Sequence, residues 1–155
     1  MAETITDVQI ANNAAAAGWT GADLVTSVAV ALAESRGDVK AQHRNTNGST
    51  DYGLWQVNSI HNYPVADLLT AMGNAKAAHE IWARDGWRAW AAHNNSSYLL
   101  FKARASKAIA STDPTVGINS PDTVTTPLEQ AFKNPLAPLE QALKPAIQRG
   151  WPQPP

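Results

Sequence analysis

The chain of 155 residues contains no cysteine. Disulfides and thiolate metal sites are therefore excluded, and the fold must be held by packing alone. Long apolar runs are missing too: no stretch approaches the roughly 18 consecutive apolar residues that a membrane-spanning helix needs. Charge of one sign is not in excess, with a net −1, so there is no general case for nucleic-acid binding. Proline is almost absent before residue 110, where Pro64 stands alone, and the other nine lie between Pro114 and Pro155. The opening MAETITDVQIANN lacks a basic region followed by an apolar core, so no secretory signal is expected there. The length suits one domain with an ordinary core and an appendage.

What is present is concentrated between Glu34 and Ser59, ESRGDVKAQHRNTNGSTDYGLWQVNS. The run leading into it, from Thr20 to Gly37, opens with Thr20 and Asp23 at capping-box spacing, continues through small and apolar residues, and meets a stop at Gly37. Leu24, Val25, Val28, Val30 and Leu32 wrap most of the circumference, which predicts a helix enclosed on several sides. Glu34 then falls in the last turn, where desolvation and the negative end of the helix dipole both disfavour a charged carboxylate. A carboxyl that keeps its proton near neutrality can protonate a leaving group.

Asp51 meets opposite conditions. The Asn47-Gly48 pair, between short polar and β-branched runs, predicts a hairpin with a tight primed turn. Asp51 is then on the returning strand among Asn45, Thr46, Asn47, Ser49 and Thr50, whose hydrogen-bonding groups favour an ionised carboxylate. Two carboxyls in contrasting surroundings are the pattern of an acid paired with a base. Taken singly, each reads more simply as a helix-end glutamate or a turn-capping aspartate.

The whole string, E-S, then R-N-T-N-G-S-T-D-Y-G, then Q-V-N-S, closely resembles the active-site segment of the c-type lysozymes in residue identity and in the spacing of the two carboxylates. Further on, the A-W-x-A core at Ala89 to Ala92 resembles the same family, whose tryptophan at this position packs against the general acid. The resemblance covers roughly residues 20 to 95. It implies a mainly α (α+β) lysozyme-like domain with a small β-hairpin lobe. Residue by residue, it puts Glu34 on the general acid, Asp51 on the nucleophile or electrostatic stabiliser, and Asn45, Gln56, Asn58, Ala89 and Trp90 on the substrate cleft. Trp90 would supply the apolar wall that keeps Glu34 protonated. There are departures: Leu54-Trp55 follows Gly53, with Trp55 read as core ahead of sugar platform; the stretch between Ser59 and Trp82 is shorter than in the animal enzymes; and their disulfides have no counterpart.

Elsewhere the pattern predicts scaffolding. Residues 5 to 17 read as a helix with Ile5, Val8, Ala11 and Ala15 inward and Gly18 at its end. Pro64 opens a short helix at its first position. Thr70 to Asp85 has helical spacing at Met72, Ala75, Ala78, Ile81 and Trp82, and Gly86 breaks it. His93 has no second histidine or cysteine at ligand spacing and reads as structural or exposed. A last helix is expected from about Ser96 to Ala110, with Tyr98, Leu99, Phe101 and Ile109 apolar and Lys102, Arg104 and Lys107 as a solvated face. The proline shift then divides the chain into a domain over 1–110, a linker over 111–126 and a Pro-rich tail over 127–155. The tail repeats at an 11-residue step, PLEQAFKNPLA then PLEQALKPAIQ. Its residues 127–149 offer Leu128, Phe132, Leu139 and Leu143 to a protein or membrane-proximal partner.

The expected function is that of a peptidoglycan hydrolase, a muramidase cutting the β-1,4 link from N-acetylmuramic acid to N-acetylglucosamine, with glycan strands as partner and neither metal nor organic cofactor. Lysozyme is the type case of this two-carboxylate chemistry, so the mechanism is what the resemblance implies. Two alternatives stand beside it: a lytic transglycosylase using Glu34 alone, and a non-catalytic wall-binding or virion structural module. A wall-degrading motif without an export signal points to a phage virion component or a holin-released endolysin acting on the cell wall.

Overall fold

The apolar run from Thr20 forms helix α2, Gly21–Ser35, and six successive residues, Ser27 to Leu32, are buried, so this helix is enclosed around its circumference. It ends where Arg36 turns left-handed at φ 55°, its N–H bonding to the Leu32 carbonyl. The structure, a computed structural model, describes residues 2–112. The chain divides into two units, Met1–Gly117 and Ile118–Pro155; the expected tail, and the linker beyond Thr112, lie outside the described residues.

The start of α2 differs from expectation. Thr20 makes no side-chain cap, and the Asp23 carboxylate that a capping box would turn back to it instead accepts a 3.0 Å bond from the Trp87 indole N–H. The working capping box belongs to α1, Asp7–Ala17, where Thr6 Oγ1 accepts from the Gln9 N–H and Gln9 Oε1 accepts from the Thr6 N–H. This helix buries Ile10, Ala11 and Ala14, whereas Ala15, expected inward, is exposed. Ile10 and Ala14 share one i, i+4 row; Ala11 begins the neighbouring row, which is exposed one turn later at Ala15.

Three short strands, β1 Gln42–Arg44, β2 Thr50–Tyr52 and β3 Val57–Asn58, form an antiparallel sheet in chain order. His43 pairs with Asp51, and Asp51 in turn with Asn58. The loop between β1 and β2 is not the primed turn. Asn45 N–H donates to the Ser49 carbonyl and Gly48 N–H to that of Asn45, and within the loop positive φ occurs at Gly48 alone, at 87°. That is a three-residue loop with glycine at its left-handed position; a primed turn needs positive φ at Asn47 as well. Asn47 is held out of that region by its own side chain, whose Oδ1 accepts from the N–H and Oγ of Ser49.

The sheet is fastened to the helices by Asn74, one of the few fully buried polar side chains. Its Nδ2 donates to the Tyr52 and Leu68 carbonyls at 2.7 and 2.9 Å, and its Oδ1 accepts from the Trp55 N–H at 2.8 Å. Gly53 makes the close approach feasible: a Cβ there would come within 2.3 Å of the Leu68 carbonyl oxygen and 2.4 Å of Asn74 Nδ2.

The second half is helical. Pro64 is the N-cap of α3, Val65–Leu68, and not its first residue, since its backbone is still extended at ψ 125° while its carbonyl accepts the first helical bonds. Thr70 caps α4, Ala71–Asp85, and Gly86 ends it at φ 68°. A 3-10 turn, Gly86–Ala89, leads to α5, Ala91–Asn94. The single helix expected from Ser96 is instead a 3-10 turn, Ser97–Phe101, followed by α6, Lys102–Ala110. Ser96 sits at φ 64° and interrupts any continuous helix. Three residues per turn bring Tyr98 and Phe101 onto the core, and leave the apolar Leu99 51% exposed and Leu100 82% exposed.

Aromatic stacking runs through this packing. Trp19 stacks on Trp55 and Trp87 with ring centroids 5.5 and 6.0 Å apart, and His93 lies between Trp87 and Tyr98, a packing role. Among the described residues no helix is long and apolar enough to cross a membrane.

Candidate active site

Trp55 ties together the elements that carry the candidate residues. Its indole N–H donates to the carbonyl and hydroxyl of Ser27 in α2, and its own carbonyl accepts a 2.8 Å bond from the Trp90 indole. The residue is fully buried and so belongs to the core. The elements it joins line a cleft of about 730 Å³, to which the hairpin side contributes Asn45, Asp51, Gln56 and Asn58, and the helical side contributes Glu34, Ala89 and Trp90. All seven candidate residues therefore line one cavity.

Glu34 is placed in the last turn of α2, half-buried. Its Oε1 accepts a 3.1 Å bond from the Ala92 N–H at the start of α5. Burial pushes the carboxyl above its ordinary value of 4.5; the Ala92 N–H works against this, and the charge of Asp51 adds a smaller upward push. Such a group retains its proton to higher pH than a free glutamate, as general-acid chemistry requires. Trp90, 4% exposed, presents an apolar surface to the same cavity.

Asp51 is held differently. Asn45 Nδ2 donates to its Oδ2 at 2.9 Å and Asn58 Nδ2 donates to its Oδ1 at 2.6 Å. Ser49 Oγ, bonded to both amides, keeps the pair spaced, and Asn58 Oδ1 accepts from the Ile60 N–H, which fixes which end of that amide faces Asp51. Each carboxylate oxygen thus has its own donor, an arrangement suited to a fixed negative charge beside a developing cation. Gln56 reaches the cleft in a left-handed conformation, φ 47°, with Nε2 donating to the Gly53 and Ala41 carbonyls.

Some of the site's residues have no side-chain signal in the sequence. Ala92, which does not line the cleft, acts through its backbone N–H. Asp85 and Arg88 line the helical side; the sequence marked Asp85 only as a helix end and gave no signal at Arg88. Among the described residues no group of three His, Asp or Glu side chains is gathered as a metal site.

Residues 11–92, more than half of the chain, match the family model described as a lysozyme like domain. Among solved structures, a lysozyme from Litopenaeus vannamei superposes with a TM-score of 0.55 at 24% identity, over 67% of this chain and 98% of that one. That likeness speaks to the fold alone. A search of curated proteins gives no match. The fold and the family match agree: the chain belongs to the lysozyme-like domain family, a match that supports an enzyme acting on peptidoglycan.

Proposed function

We propose that the protein is a muramidase that hydrolyses the β-1,4 bond between N-acetylmuramic acid and N-acetylglucosamine with retention. The observation that carries this reading is the pairing, in one cleft, of a desolvated carboxyl with a raised pKa at Glu34 and a carboxylate at Asp51 clamped by two amides. In the first step Glu34 donates its proton to the glycosidic oxygen, and the leaving sugar departs with that oxygen as a hydroxyl. Asp51 stabilises or captures the positive charge left on the anomeric carbon. In the second step Glu34, now a carboxylate, takes a proton from a water as the water attacks the same carbon and releases the Asp51 carboxylate from it, so that both side chains return to their starting forms. Lysozyme is the type case of this sequence of steps. The cleft residues Asn45, Gln56, Asn58, Ala89 and Trp90 hold the strand, and the place of action is the cell wall.

A second reading, a lytic transglycosylase, is supported by the family match, which fits that reaction as well. Glu34 alone would then protonate the leaving oxygen and afterwards take the proton of the sugar's own 6-hydroxyl as it closes on the anomeric carbon. Mass spectrometry of fragments released from peptidoglycan separates the two. Reducing-end products support the muramidase; products lighter by one water, the anhydro sugar, would replace it with the transglycosylase. No fragments at all removes both and leaves a wall-binding or structural module, while fragments that persist in Glu34→Gln remove Glu34 as the acid of either reaction.

A further inference from the structure

The helical side of the cleft carries a charge arrangement that the bond-cleaving chemistry does not use. Asp85 lies between two guanidinium groups. Arg84 pairs with it closely, through Nε at 3.0 Å and a terminal nitrogen at 2.8 Å, while Arg88 reaches it only at 3.7 Å. Arg84 is also within 3.4 Å of His61 Nδ1, and His61 has its pKa lowered, by burial first and then by Arg84, so its ring is neutral and suited to accept at neutral pH. Arg84 and Asp85 therefore neutralise each other. Arg88 is left with its side chain 79% exposed and, among the described residues, its charge largely uncompensated at the cleft edge, two residues before Trp90.

We propose that Arg88 reads a carboxylate carried by the glycan strand, so that the cleft prefers acidic peptidoglycan strands to neutral β-1,4-linked N-acetylglucosamine. This rests on the muramidase reading for its substrate class. The chemistry is specific: a guanidinium fork matches a carboxylate with two parallel N–H donors, which an ammonium cannot do. The strand offers two sources of that group, the lactyl carboxylate of stem-free muramic acid and the carboxylates of the stem peptide. The hairpin side carries the Asp51 charge, which would repel either, so a strand seated with its acidic substituents toward Arg88 satisfies both sides at once. An exposed charge pair contributes at most about 1 kcal/mol, which sets the expected preference at roughly three- to five-fold in Kd.

The test measures binding by calorimetry to the full chain carrying Glu34→Gln, so that nothing is cleaved. The probes are chitohexaose, stem-free glycan strands and stem-bearing strands. Tighter binding of the acidic strands, lost when Arg88→Gln is added, partly kept in Arg88→Lys and shrinking at high salt, supports the proposal. A preference already present with stem-free strands assigns the lactyl group; one that appears only with stems assigns the peptide. Equal affinity for neutral and acidic strands, or an Arg88→Gln loss that is the same for both, overturns it, as does failure to bind any of the three. If the Arg88-dependent preference is found but wild-type protein cleaves none of the probes, the muramidase reading falls and the role of Arg88 stands.

Discussion

The two sides of the cleft hold a carboxyl by opposite means. Glu34 projects from a fifteen-residue helix whose middle is sealed in the core, and in this structure its polar partner is the single N–H of Ala92. Asp51 projects from a three-residue strand in a sheet whose first strand is exposed throughout, yet both its oxygens meet side-chain amides. The helical side supplies dryness and the hairpin supplies donors. Rigidity of the backbone is not what distinguishes an acid from a base here; the distinction lies in what surrounds the carboxyl within hydrogen-bond reach.

Removing the acid should have the largest effect. Glu34→Gln keeps an acceptor for the Ala92 N–H but has no proton to give, so kcat on glycan strands should fall by about 10³-fold or more, in the upper range for general-acid catalysis, with far-UV circular dichroism unchanged. Residual turnover within ten-fold of wild type would mean that the dry side is not the acid side. Asp51→Asn comes next. It removes the fixed negative charge and sets a third amide against the Asn45 and Asn58 amides, so kcat should fall by about 10²-fold, the scale for losing one preorganised electrostatic contact. A much smaller loss would say that the hairpin carboxylate is a spectator and would favour the transglycosylase.

Much of this contrast was legible in the sequence because it is local. The enclosed character of α2 lay in its unbroken apolar run, and the amides around Asp51 lay within a few residues of it. Legibility failed where partners are distant or where one side chain is diverted. Thr20 and Asp23 had capping spacing, but Asp23 bonds to Trp87, and nothing near Asp23 announces that. The T-x-x-Q signal at Thr6 to Gln9 was present and is the box that forms. Asn47-Gly48 promised a two-residue turn, and the Asn47 side chain closed a different one on Ser49. Arg88 carried no signal in the sequence, since its isolation depends on Arg84 having taken Asp85. Asn74 was the most opaque: a lone asparagine in a helix, bonded to Tyr52, Trp55 and Leu68, which have no pattern in common with it.

Asn74 also joins the two sides, which makes it the next point of attack. Asn74→Ala would strand the Trp55 N–H and the Tyr52 and Leu68 carbonyls in a buried place, at about 1–3 kcal/mol for each group that finds no water. Partial relaxation leaves a net loss of about 3 kcal/mol, a fall in Tm of about 10 °C or more for a domain of this size. Thermal unfolding by calorimetry measures it. A fall of only a degree or two would show that the hairpin is held to the helices by apolar packing, with the amide incidental.

The smallest effect tests the dry side without any substrate. In the unfolded chain Glu34 titrates near its ordinary value of 4.5, and in the fold its pKa is raised. Between those two values the native state binds more protons than the unfolded state, so the contribution of Glu34 to stability declines as pH rises through that window. Below 4.5 both states are protonated and the residue carries no penalty; above the folded pKa the full cost of burying a charge is present. Gln cannot ionise and escapes it. The Tm of Glu34→Gln should therefore match wild type at pH below 4.5 and exceed it at neutral pH, the difference opening across the pKa of the folded carboxyl. The activity of the wild-type enzyme should fall as pH rises through the same point, because the proton it donates is lost there. A Tm difference that is flat with pH would mean that Glu34 is solvated, and the contrast between the two sides of the cleft would then rest on Asp51 alone.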